Sequence, residues 1–350
     1  GADSGAYRIN ASGQVVGWSA TEAGNNDRFA GFLYSGGTLT ALGAMGGIYS
    51  DARGINDGGE VAGWNDPAGT DTPYAFRYSG GTMQALPGLG GSYGYATGIN
   101  NLGQVVGFAA TAGDASYLAY VYSAGVIDDL GTLPGHTVSE AYDINDSGQI
   151  VGSSYVGGTE LYRAFLYSGG SMIDLGTLGG DTSEAYAVNN SGQVVGASTP
   201  TGSLTSHAFL YSAGIMTDLG TLGGTTSFAL DINTSGQAVG WSYTAGDADM
   251  HAFLYSGGAL QDLNTLYSSL LSDGSTPGFV SLIDARGIND SGMIVGRGRY
   301  LDEFGEVNDR AYLLDPHAGG VGVPERFQTI VLLLLGISSL AAGRVFGRRS

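Results

Sequence analysis

One short string returns seven times along this chain: Asn, two further residues, Gly, one residue that is usually Gln, then two small or branched aliphatic residues and Gly, as in Gln-Val-Val-Gly. The repeated asparagines are Asn10, Asn56, Asn100, Asn145, Asn189, Asn233 and Asn289, at intervals of 46, 44, 45, 44, 44 and 56 residues. A fixed period of this size marks a repeat architecture, in which one supersecondary unit buries its apolar faces only by stacking against its neighbours.

The fourth copy shows what the unit is. Ala141-Tyr142-Asp143-Ile144-Asn145 reads as a short strand, Asp146-Ser147-Gly148 as a turn and Gln149-Ile150-Val151-Gly152-Ser153 as a second strand. After a polar loop, Ala164-Phe165-Leu166-Tyr167-Ser168 gives a third, Gly169-Gly170 turns, and Met172-Ile173-Asp174-Leu175 gives a fourth. Short β-branched and aromatic runs bounded by Gly, Asn, Asp and Ser are strand signals. Four antiparallel strands in about 44 residues match the blade of a β-propeller. Paired apolar residues such as Val15-Val16, Val105-Val106 and Val194-Val195 fit strands covered on both faces. The sequence therefore predicts an all-β, seven-bladed propeller over residues 1–316, followed by a linker over 317–323.

The last position of Asn-x-x-Gly is Gly in all seven copies. A short hairpin built on a type I turn needs a left-handed residue there, which Gly supplies without steric cost. The seventh repeat ends after its third strand, Ala311-Tyr312-Leu313-Leu314. The sequence thus predicts a last blade lacking its closing strand, with that strand lying upstream of Gly1 in a processed or truncated N-terminus.

With 13 basic against 32 acidic residues the chain carries a net charge of −19. That excludes nucleic acid as an expected partner, because phosphate binding needs clustered basic residues. The 63 glycines lack the three-residue period of collagen. The absence of cysteine is compatible with either redox compartment.

Two stretches carry a family resemblance. His207-Ala208-Phe209 and His251-Ala252-Phe253, each followed by Leu-Tyr-Ser, resemble the bacterial HAF family of extracellular repeats, over Gly1 to about Pro316. Other copies depart at the His, as in Arg163-Ala164-Phe165 and Tyr74-Ala75-Phe76. That family implies location and architecture and no reaction. Val323-Pro324-Glu325, an apolar run over 327–343, and Arg344, Arg348 and Arg349 resemble a PEP-CTERM sorting signal over 324–350, with Arg326 where the family has a second Pro. This resemblance implies export by a Gram-negative bacterium that makes exopolysaccharide, with exosortase as a processing partner. Its 17 mostly apolar positions predict a C-terminal hydrophobic helix at the short edge for a membrane span, with basic residues on the inner side.

No nucleophile elbow, phosphate loop or dinucleotide fingerprint is present. Asp143-x-Asn145-x-x-Gly148 has the look of a calcium loop but lacks its closing acid, so calcium stays an alternative to a structural turn and no other cofactor or metal is expected. His207 and His251 occupy equivalent positions and lack metal spacing. Asp129, Asp174, Asp218 and Asp262 recur once per unit and read as turn or edge-charging residues.

The loops between second and third strands vary most, and variation on a fixed scaffold is how binding faces are built. They place Asp27, Asp71, Tyr117, Tyr155, Asp247, Asp249, Tyr300 and Asp302 on one face, and the longer interval around Ser268–Leu282 adds Asp273. The expectation is an exported, non-catalytic surface or matrix protein that binds glycan or protein through that face. A polysaccharide lyase or glycosidase, and a purely structural component, are the alternatives.

Overall fold

The computed structural model describes residues 3–22, 25–45, 47, 49–66, 72–316 and 329–333. Among them are seven four-stranded antiparallel sheets, each running in simple sequence order. The first is built from Ser4–Ile9, Val15–Glu22, Asn25–Ser35 and Thr38–Ala41. The first strands of the blades, ending at Ile9, Ile55, Ile99, Ile144, Val188, Ile232 and Ile288, stand around a central channel. The chain is a seven-bladed β-propeller, as its period requires.

Each blade buries one large aromatic ring at the same third-strand position: Phe32, Phe76, Tyr120, Phe165, Phe209, Phe253 and Tyr312, all at 0% exposure. These rings meet small and aliphatic residues of the next blade. Between the fifth and sixth blades, Ala187, Val195 and Ala208 pack with Ala229, Ile232 and Phe253. Burying such a ring contributes roughly 2–3 kcal/mol, so the seven inter-blade seams carry much of the stability.

Every inner strand carries a β-bulge. In blade 1, Ala6 pairs with Gly17 and Arg8 with Val16, which leaves Tyr7 as the extra residue. The corresponding extra residues are Arg53, Thr97, Tyr142, Tyr186, Leu230 and Arg286. A bulge re-aims a side chain, and here all seven line the channel. The bulge also explains the glycine of Val-Val-Gly. A Cβ at Gly152, Gly196 or Gly240 would stand 1.8–1.9 Å from the carbonyl oxygen of Glu140, Glu184 or Phe228.

The opposite end of the channel closes with hydrogen bonds. Each repeated Asn, 3–5% exposed, accepts backbone N–H groups through Oδ1; in Asn145 these come from Ser147 and Gln149 at 3.1 and 2.9 Å. Its Nδ2 donates to the backbone carbonyl of the Asn in the next blade. The seven links run 10→56, 56→100, 100→145, 145→189, 189→233, 233→289 and 289→10, at 2.9–3.2 Å. The last of them joins blade 7 to blade 1. The asparagine read from sequence as a turn residue is therefore also the clasp of the ring.

The long interval between blades 6 and 7 is preceded by a helical turn, Leu263–Leu266, and Leu263 and Tyr267 are buried against Phe279 and Leu282. One expectation needs correction. The seventh blade does not lack its outer strand. Thr329–Leu333 pairs antiparallel with Val307–Asp315, matching Leu333 to Ala311 and Thr329 to Asp315. A short Thr-Ile-Val-Leu-Leu run suits a strand as well as a helix, and the unpaired edge of the third strand offers it a template. The rest of the apolar segment, with Val323, Pro324, Glu325, Arg344, Arg348 and Arg349, lies outside the described residues. No helix among the described residues is long and apolar enough to cross a membrane.

Candidate functional site

Arg8 divides the channel. From the inner strand of blade 1 its guanidinium donates to the backbone carbonyls of Arg286 (2.8 Å), Leu230 (3.1 Å) and Tyr186 (3.5 Å), and it lies 3.6 Å from Asp231. It lines both chambers so formed. The lower one, about 200 Å³, is rimmed by the asparagine ring and by Asp143 and Asp231, whose Oδ2 atoms accept from Val188 and Ile288 N–H. Burial first, then the neighbouring Asp231, pushes the Asp143 carboxyl up to about 6 against the pull of Arg8.

The upper chamber, about 310 Å³, is lined by Tyr7, Arg8, Arg53, Thr97, Tyr142, Tyr186, Leu230 and Arg286. That volume is in the range of small-molecule sites. Its wall is heterogeneous where the rest of the repeat is uniform. Two residues before each bulged residue, one cross-strand pair per blade varies as well: Gly5 with Trp18, Asp51 with Trp64, Tyr95 with Phe108, Glu140 with Ser153, Glu184 with Ala197, Phe228 with Trp241 and Asp284 with Arg297. No two blades share both residues.

The chamber has two chemically distinct sides. On one, the Arg53 and Arg286 guanidinium groups lie 4.3 and 5.2 Å from the centre of the Tyr7 ring. Asp51 holds Arg53 at 2.8 Å, and Asp284 holds Arg286 through Nε and Nη2 at 2.9 and 3.0 Å. Both carboxylates are buried, at 2% and 1% exposure, and Asp51 Oδ1 has no hydrogen-bond partner among the described residues. Burial and the adjacent Asp51 push the Tyr7 phenol up to about 12, so it stays protonated. On the other side, Tyr142 donates to Glu140 (2.7 Å) and Tyr186 to Glu184 (2.9 Å). Burial and these carboxylates push both phenols far above their ordinary value. Burial also raises the Glu184 carboxyl, against the Tyr186 hydrogen bond.

Aromatic rings continue this second side around the wall. Tyr142 meets Tyr186 at 5.6 Å, Tyr186 meets Phe228 at 6.1 Å, Phe228 stacks on Trp241 at 4.7 Å and Trp241 meets Tyr243 edge-on at 5.7 Å. A second run passes from Trp18 through Phe29, Trp64, Tyr95, Phe108 and Tyr117 to Tyr155 and Tyr162, with centres 4.5–6.4 Å apart. Rings, carboxylates and guanidinium edges around one cavity can stack on and hydrogen-bond a polyhydroxylated ligand.

Of the residues expected from sequence, Tyr117 and Tyr155 come together. Their hydroxyls share a short hydrogen bond, and Tyr155 also donates to Glu140 at 3.0 Å. Tyr243 joins the aromatic run, and Tyr300 packs on Phe279 outside it. Asp247 instead anchors the backbone and hydroxyl of Thr225, Asp302 caps its own turn at Phe304 and Glu306, and Asp273 does the same at Ser275. Asp249 faces Arg299 at 3.7 Å on the surface. Asp71 and the side chain of Asp27 lie outside the described residues. His207 and His251 pair with Asp218 and Asp262 of their own blades, at 2.9 and 2.8 Å, as Arg163 does with Asp174. Asp129, Asp174 and Asp218 each also cap the turn at the Gly two residues on. No group of three or more metal-capable side chains stands together among the described residues.

Arg8, Arg53, Tyr142, Tyr186, Arg286, Glu140, Glu184 and Phe228 escaped the sequence reading because they sit inside strands. A signal was present: at three and five residues before each repeated Asn, the seven copies differ most in charge and size.

No family model and no curated protein matches the sequence. Among solved structures, the chain is similar to TolB from Acinetobacter baumannii (15% identity, TM-score 0.48) over 70% of its own length and 61% of that chain. It is similar to a putative TolB from Agrobacterium tumefaciens (14%, TM-score 0.45) over 72% and 84%. A third likeness is to XC5397 of Xanthomonas campestris, a gluconolactonase (13%, TM-score 0.40), over 85% and 94%. Nothing is built on likenesses this distant. The assignment as a seven-bladed β-propeller rests on the chain's own seven sheets and its closed asparagine ring.

Proposed function

We propose that this protein is a non-catalytic glycan-binding propeller that presents the upper mouth of its channel to saccharides outside the cell. The observation that carries the reading is the aromatic run from Tyr142 to Tyr243 beside Glu140 and Glu184. Flat rings stack on the C–H faces of sugars, and carboxylates and phenols bond their hydroxyls. Export and a surface or matrix location rest on the resemblance of the repeats to the HAF family and of residues 324–350 to a sorting signal. In this reading exosortase acts on the C-terminal segment, and residues 327–343 engage the membrane before processing. Exopolysaccharide is the partner class, and a surface protein is the alternative occupant of the same face.

The test is a binding screen of the full chain against bacterial exopolysaccharides and a glycan array, with and without calcium. Saturable binding that Phe228→Ala and Trp241→Ala weaken about tenfold, at unchanged melting temperature, supports the reading. Silence on every glycan would sink it.

A further inference from the structure

The upper chamber gathers arginines in a chain that has few of them, each beside a carboxylate. The sequence contains no lysine, and only nine arginines lie between residues 1 and 316. Three of the nine, Arg8, Arg53 and Arg286, line this one cavity. Arg8 uses its Nη groups on carbonyls of three other blades. Arg53 and Arg286 are bound differently. Each is gripped side-on by the aspartate two residues before it, through Nε and Nη2, which leaves Nη1 with no partner among the described residues. A guanidinium fixed on one edge and free on the other presents a pre-oriented fork for a second oxyanion. Both guanidinium groups lie over the Tyr7 ring, at 4.3 and 5.2 Å from its centre.

From the glycan reading, on which this step rests, we infer that the upper chamber selects an acidic sugar residue, a uronate, whose carboxylate is bound by Arg53 and Arg286. Its ring hydroxyls then face Glu184, Tyr142 and Tyr186 on the opposite side. The two sides are matched to the two ends of such a residue. The guanidinium edges offer only donors, while the Glu184 carboxylate offers acceptors, with Tyr186 on Oε2 and no donor on Oε1 among the described residues. A neutral sugar would satisfy the second side and leave the arginine edges without an anion. The negative surface of the protein works against an acidic polymer at long range, so recognition depends on these short contacts within the chamber.

The experiment is calorimetric titration of the full chain with trigalacturonate and, separately, with neutral cellotriose. Trigalacturonate is expected to bind about tenfold tighter or better, with affinity falling as salt rises. Arg286→Gln is expected to remove about that tenfold preference, read as the ratio of the trigalacturonate and cellotriose affinities. This position is chosen because Asp284 keeps Arg297 at 3.2 Å when Arg286 is replaced. If Arg286→Gln does not fold, Arg286→Lys keeps the charge without the fork and is expected to lose part of the preference. Equal affinity for the two trisaccharides would overturn the uronate inference and leave the glycan reading standing. Binding of neither would overturn the uronate inference, and silence across the glycan array as well would overturn the glycan reading with it.

Discussion

The two ends of the channel are made from the same seven inner strands, yet they obey opposite rules. At the lower end every blade contributes an asparagine with one set of partners, and the seven are interchangeable. In the upper chamber, three residues earlier on those strands, the blades diverge: they contribute Tyr7, Arg53, Thr97, Tyr142, Tyr186, Leu230 and Arg286, with Asp-x-Arg shared by blades 2 and 7 and Glu-x-Tyr by blades 4 and 5. Repetition serves closure, because a ring is only as tight as its weakest seam. Departure from the repeat serves recognition, because a ligand has no sevenfold symmetry. The bulge is what allows both in one strand: it lets the channel-facing residue vary while the flanking pairs stay fixed.

Breaking the repeated elements should cost the most. Gly196→Ala places a Cβ within 1.9 Å of the Glu184 carbonyl oxygen, and the inner strand cannot retreat without opening the ring. A loss of about 4 kcal/mol or more is expected, visible as a collapse of soluble expression or of the urea midpoint. Asn145→Ala strips two donors and two acceptors from a buried site and leaves the Asn189 carbonyl without its inter-blade partner. About 2–4 kcal/mol is expected by chemical denaturation. If Asn145→Ala instead melts like the parent, the ring is ornamental and the comparison fails.

Asp143 tests the boundary between the two ends. Its folded-state pKa of about 6 lies above the ordinary 3.8, so the folded protein holds this proton more tightly than the unfolded chain. The charged form therefore opposes folding: stability attributable to Asp143 falls as pH rises from about 4 through 6. Asp143→Asn should stabilise by at most about 3 kcal/mol at pH 7.5 and have no such benefit at pH 4. Melting curves of the two proteins that stay parallel across that range would refute the assignment.

The smallest effect belongs to the outer rim. Hydrogen bonding to Asp262 raises the His251 pKa, and His251 in turn helps to lower that of Asp262 against its burial. The raised histidine stabilises the fold below its unfolded pKa near 6.5, and that support disappears as pH rises through the folded value. His251→Ala should cost up to about 1 kcal/mol near pH 5.5 and less at pH 8.5. The same difference in melting at both pH values would show that the pair is a packing contact only.

Much of this was legible in the sequence, and the reason is physical. Strand length, the left-handed Gly of Asn-x-x-Gly and the double-faced Val-Val pairs are local, so period and composition reveal them. The reach of the Asn145 amide to the carbonyl of Asn189 is not local, and a buried clasp and a turn asparagine look alike in one dimension. Loop variation points to Asp247, whose carboxylate is spent on Thr225, and to Asp273 and Asp302, whose carboxylates are spent on their own turns. The variation that lines a cavity lay in the strands, at Arg53, Glu184 and Arg286, where alternation of inward and outward faces hides it until the bulge is known. Thr329–Leu333 lies inside the longer apolar run over 327–343: an unbroken apolar run carries no period to separate strand from helix, and the open edge of the third strand that pairs with it exists only in the fold.

Arg8 has a further consequence. A guanidinium braced on carbonyls from three blades makes the propeller a cup and not a pipe, so a polymer cannot be threaded through its axis. Whatever the upper chamber accepts must come in and leave by the same door, which favours a terminus or a short branch over the middle of a chain. A matrix held by such cups would be gripped at its loose ends and would let go as those ends are trimmed.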